Sequence, residues 1–363
     1  MYTIKTTGFV PWMLILLLPV AASADQVANH YFLGNNEKQQ IIDERFKFYQ
    51  HTFPEIVFAH ATGGEQWRDD YIAITALLGE APVDQDYEHP PELRGNVMEV
   101  SLQRLALMLQ RNIISETLFR TDARGPLKGQ PLCVITLNPK TYVADNLETT
   151  SYMVDLPEEL IKKIHPSRLL DPRDHLRFTI DHEIYHCLDS HFTGGAPMTM
   201  KEFGGDFNQF RRESGADAFA LAMHYRYADN TPRYAENMTM YRALWLFSEG
   251  PNRCTFESML EIYHLPATAL SGKTVMEIFR LATRVRDKNA GTYEFYVGRL
   301  AAKLKAAKQL GYDPSVNDRH LASLYEQATD PKRVAYKVNR YRYYYARLFD
   351  DLPIDFQPAD PSE

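Results

Sequence analysis

The segment Thr179-Ile180-Asp181-His182-Glu183-Ile184-Tyr185-His186-Cys187-Leu188 lies midway along a chain of 363 residues and carries the order His-Glu-x-x-His. On a helix, side chains four residues apart stand one above the other. His182 and His186 therefore present two imidazoles from one face to a single metal ion, and Glu183, one step round, reaches a water beside it. With 12 His in the chain, the bare order arises by chance in about 3% of chains of this composition, so the flanks carry weight. Thr179 stands three positions before the first His. Ile180, Ile184, Tyr185 and Cys187 are uncharged, and Leu188 is hydrophobic. Asp171 is suited to cap a helix, Pro172 to its first position and Asp174 to its first turn. No Gly or Pro interrupts the segment after that. The pattern predicts a helix from Asp171 to about Phe192.

Residues 211–220 read Arg-Arg-Glu-Ser-Gly-Ala-Asp-Ala-Phe-Ala. Two imidazoles leave a tetrahedral ion short of protein ligands, and catalytic zinc sites commonly have three plus a water. Glu213 on the next helix supplies a third. Asp217, four residues on, shares its face and can accept a hydrogen bond from the free ring nitrogen of a ligand His, fixing its tautomer. His-Glu-x-x-His followed by Glu-x-x-x-Asp on a second helix resembles the gluzincin type of zincin metallopeptidases, over about 45 residues. The third-ligand pattern of the metzincin type is absent, because Asp189 stands where its Gly would be and Phe192 where its third His would be.

The resemblance implies Zn²⁺ held by His182, His186 and Glu213, with water as fourth ligand. It implies Glu183 as general base and Asp217 as the group that orients a ligand His. The fold it implies is α+β and predominantly helical, with a zincin-like core, a small β-sheet before the metal-binding helix and a helical C-terminal part. The oxyanion donor is left open among Tyr225, Tyr227, His224 and Tyr241. His224 is 11 residues past Glu213, about 16 Å along a straight helix, too far to be a ligand, and reads as a packed or surface residue. His191 falls about 180° round the helix from His182 and faces away. His175 roughly shares the metal face and is expected to have a solvent or capping role.

Residues 1–24 read as a secretory signal. Lys5 precedes an apolar run from Met13 to Val20, and Ala22-Ser23-Ala24 offers a small-x-small cleavage site. The run is too short for a comfortable membrane span, which needs about 20 residues, and no later segment is apolar for that length. Removing Lys5 takes the formal charge from −7 to −8, which gives no reason to expect nucleic acid or an anionic membrane as partner. Three cysteines, Cys133, Cys187 and Cys254, do not make a disulfide scaffold. One bridge is possible in an oxidising compartment. Cys187 lies about 140° from His182, away from the metal face, and reads as a buried structural thiol.

Residues 25–130 read as a mostly helical N-terminal region. Apolar spacing marks 36–52, Tyr71 to Gly79 and Val97 to Leu118, with a Pro-rich loop at 81–96. Residues 131–260 read as the catalytic core. Leu132 to Leu137 is β-branched, short and bounded by Pro131 and Pro139, a buried strand. Thr149 to Asp155 reads as a second strand at a sheet edge, and the resemblance to zincins implies for it the role of pairing with extended substrate. The glycines of 193–205 make a loop, either lid or connector. Residues 261–363 read as helical, continuous with the core or not, with a Tyr-rich packing stretch at Tyr336–Tyr345 and an acidic, Pro-rich tail. Together these readings lead to an exported zinc metallopeptidase, periplasmic or secreted, acting on a polypeptide substrate. The alternative is a catalytically silent zincin-like domain that binds peptides or cell-wall components. All the chemical groups are present, which argues against it.

Overall fold

The computed structural model describes residues 33–62, 67–80, 105–106, 109, 116–121, 125–127, 129–137, 145–154, 168–193, 206–227, 232–248 and 255–292. The segments read above as a signal (1–24), as the 81–96 loop and as nearly all of the 193–205 loop, together with Cys254 and the helices expected beyond residue 292, lie outside them. The described chain is mostly helical with one small sheet, an α+β arrangement. Its elements are α1 (Asn35–Thr52), β1 (Val57–Ala61), α2 (Trp67–Leu78), β2 (Glu116–Arg120), β3 (Leu132–Thr136), α3 (Asn146–Val154), α4 (Pro172–Phe192), α5 (Asp206–Tyr227), α6 (Pro232–Ser248), α7 (Phe256–Tyr263), α8 (Ala267–Leu270) and α9 (Val275–Thr292). Among the described residues no helix is long and apolar enough to cross a membrane.

β3 is the centre of the sheet, parallel to β1 and antiparallel to β2. All five of its residues are buried, as its apolar composition requires of a strand covered on both faces. Side chains alternate across a strand. Cys133 and Ile135 accordingly enter a large core with α1, α4, α5 and α9, whereas Leu132 and Val134 enter a smaller one with Leu118, Tyr71, Ile74, Leu78, Leu105 and Leu109. β1 and β2 come from the segment expected to form a helical N-terminal region, so the boundary drawn at residue 130 runs through the sheet.

Two expected elements differ. The strand expected over Thr149 to Asp155 is not what its described part forms: residues 146–154 form α3. Its first turn is organised by Asp145, whose side chain accepts from the Glu148 amide at 2.7 Å and whose carbonyl accepts from the Thr149 amide at 2.9 Å. A capping aspartate with Glu148 just inside outweighs the strand preference of paired threonines. The helix expected over Val97 to Leu118 also ends early. Leu105, Ala106 and Leu109 are helical, but Glu116 to Leu118 belong to β2, where Leu118 is buried opposite Val134. Edge pairing with β3 wins over a helical period that could have continued.

α4 is as the sequence predicts. The Asp171 side chain accepts from the Arg173 and Asp174 amides at 2.9 and 3.2 Å, and Pro172 opens the helix. α5 packs along it. A Cβ added at Gly215 would lie 2.6 Å from Tyr185 Cε1 and closer still to Cζ and the hydroxyl, so only glycine lets Tyr185 of α4 lie flat against α5.

Candidate metal centre

α4 and α5 bring together the three expected ligands. His182 Nε2 lies 3.3 Å from His186 Nε2 and 3.3 Å from Glu213 Oε2. One donor atom from each of the three side chains falls within 4.8 Å of the others. Two donors bound at about 2.05 Å to one tetrahedral zinc sit about 3.3 Å apart, so these spacings fit a divalent ion of that kind. The donor set, two imidazoles and a carboxylate, fits it chemically as well. Both imidazoles are buried, at 7% exposure each, and Glu213 is partly exposed on the open side.

Asp217 lies behind His182, fully buried, and its Oδ1 is 2.8 Å from His182 Nδ1. Arg242 of α6 donates from Nη2 to Oδ1 at 2.9 Å, and its Nε lies 2.7 Å from Oδ2 as an ion pair. The Thr255 hydroxyl donates to Oδ2. Burial alone would raise the Asp217 pKa, but Arg242 and His182 outweigh it and hold the group below the ordinary carboxylate value. An ionised Asp217 can only accept, so Nδ1 of His182 keeps a proton, and when the ring is neutral its lone pair is on Nε2, the nitrogen nearest His186 and Glu213. Burial works against a His182 imidazolium, yet Asp217 and Glu213 together raise its pKa to about 10. That is the signature of a site whose field favours a positive charge. His186 is held well below its ordinary value, first by burial and then by Arg212 and His182. It is therefore neutral, the form that ligates. Its Nδ1 is buried without a hydrogen-bond partner among the described residues.

Glu183, at 6% exposure, follows His182 directly on α4. Thr117 Oγ1 of β2 donates to its Oε2 at 2.6 Å. The sheet edge that meets α4 at Glu183 is thus β2, not the segment around Thr149.

Other histidines and tyrosines are occupied elsewhere. His175 is not at the surface: it is 3% exposed, with Nδ1 3.0 Å from the Tyr234 hydroxyl. His224 is buried against Tyr234, with ring centroids 4.8 Å apart, a packed residue as expected. Tyr241 donates to the Arg168 carbonyl at 2.6 Å, so its hydroxyl is spent away from the ligands. Tyr227 packs on Phe48. His191 faces Phe119 and Phe192. Cys187 points away from the metal face as expected, but it is not a free thiol: it is bridged to Cys133.

Sequence reasoning missed several participants. Thr117 was hidden in an apparently helical stretch. Arg242 and Thr255 carry no local motif. Asp181, next to His182, is buried and paired with Arg45 of α1, and Tyr49 donates to it at 2.7 Å. A charged residue inside an otherwise uncharged flank was the available signal for such a partner. No protein-family profile, curated protein or solved structure matches this chain.

Proposed function

We propose that this chain is an exported zinc-dependent metallopeptidase with a zincin-like core. The observation that carries this reading is the convergence of His182 Nε2, His186 Nε2 and Glu213 Oε2 from two helices, with Glu183 next to His182 in the sequence of α4. His182, His186 and Glu213 would hold the zinc. Bound there, zinc supplies Lewis acidity, making a water acidic enough to lose its proton near neutral pH and drawing charge from a scissile carbonyl. The Glu183 carboxylate takes that proton and returns it to the departing amine nitrogen. Asp217 keeps the His182 ring in the ligating tautomer. β2 is hydrogen-bonded on one side by β3, and its other edge suits pairing with an extended peptide. The Cys133–Cys187 bridge supports an oxidising compartment, in keeping with the leader-like first 24 residues.

Elemental analysis of the purified protein is expected to give about one zinc per chain. Glu183→Gln is expected to retain the metal and lose cleavage of a peptide library by about 100-fold or more. Glu213→Ala is expected to lose metal. Equal cleavage by wild type and Glu183→Gln would remove the hydrolase reading. Retention of zinc by wild type with no cleavage of any peptide would instead favour the silent binding domain.

A further inference from the structure

We propose that Thr117, on edge strand β2, is a positioning residue that helps hold the Glu183 carboxylate at the reacting centre. The inference rests on the hydrolase reading for the role of Glu183, and on geometry for the rest. Thr117 Oγ1 lies 2.6 Å from Glu183 Oε2 and 3.2 Å from the Glu183 carbonyl oxygen. A hydroxyl has one proton to give, and the shorter contact is in the range of a bond to an ionised acceptor. The side chain it anchors is long, buried and one residue from a metal ligand. Unanchored, a glutamate there could take several rotamers, and a displacement of about 1 Å at a reacting group can cost up to about 100-fold in rate.

Threonine suits the task because its β-branched side chain is stiff about χ1, so the hydroxyl arrives already aimed. Its height over α4 is fixed from two directions. Thr117 pairs with Ile135 and Phe119 pairs with Cys133 in the antiparallel ladder, and Cys133 is covalently tied to Cys187 of α4. Strand, bridge and helix thus form a closed frame around the Thr117–Glu183 contact. Among the described residues the other edge of β2 pairs with no strand; if substrate pairs there, seating a peptide and aiming the base fall to one element.

The test compares wild type, Thr117→Val and Thr117→Ser, with Glu183→Gln as control. Thr117→Val keeps the shape and removes the hydroxyl; Thr117→Ser keeps the hydroxyl. Crystal structures of wild type and Thr117→Val are expected to show one Glu183 carboxylate position with threonine and a displaced or split one with valine, at unchanged zinc content. On the best-cleaved library peptide, Thr117→Val is expected to lower kcat by about 10- to 100-fold with KM within about twofold, and Thr117→Ser to recover most of the loss. An unmoved Glu183 in the valine variant overturns the proposal. So does a loss borne wholly by KM, or a serine variant as slow as valine. Should valine fail to fold, Thr117→Ala is judged by the same criteria. If wild type cleaves nothing, the hydrolase reading falls, while the pair of structures still decides whether Thr117 fixes Glu183.

Discussion

Asp217 receives His182, Arg242 and Thr255 on its two oxygens. This saturation is what makes it a dependable acceptor, because no proton need be taken up to satisfy it. Arg242→Met should therefore weaken zinc binding by about 10- to 100-fold, read on the metal-free chain by competition with a chromophoric chelator. An unchanged affinity in a folded variant would show that Asp217 needs no such support. A second residue-scale effect concerns acid. Burial, then the Arg242 charge, depress the His175 pKa from 6.5 to about 3. Between those values the unfolded chain binds a proton that the folded chain refuses. The His175 contribution is thus intact above about pH 6.5 and is lost as pH falls toward 3. Melting temperatures of metal-free wild type should drop across that window more steeply than those of His175→Gln; parallel curves would refute the assignment.

The contact between α4 and α5 is set by Gly215 under the Tyr185 ring. Gly215→Ala should force the two helices apart, cost about 1–3 kcal/mol through overpacking, and lower zinc occupancy because Glu213 lies two residues away. Thermal melts and metal analysis would check both, and full stability would mean that the ring simply swings aside. At this scale the sequence was legible where signals were local. The Asp171 cap, Pro172, the four-residue spacing of the imidazoles and the Glu213–Asp217 spacing all act within one helix. The strand at Leu132 was legible from its bounding prolines and β-branched run. α3 was misread because Thr149 and Thr150, strand-favouring in isolation, sit inside a helix started by Asp145. β2 was misread because a five-residue edge strand owes its form to β3, fifteen or so positions further on. The ties Arg45–Asp181, Arg242–Asp217 and Thr117–Glu183 link residues far apart in the chain, and nothing local announces them.

For the molecule as a whole, the sheet and α4 are stapled across 54 residues by Cys133–Cys187. In the chain-entropy account, closing a loop of that length stabilises the fold by about 4 kcal/mol. The double variant Cys133→Ser with Cys187→Ser should lose about 2–4 kcal/mol in denaturant titration; a midpoint unmoved at constant slope would show that the reduced chain is equally constrained. The alternation along β3 gives the bridge another consequence. Sliding β3 by one position against its neighbours turns every side chain over. Cys133 would then look toward Leu78, out of reach of α4, and its thiol would go unclaimed. The covalent link therefore cannot close on a sheet slipped by one position, so oxidation selects against that error.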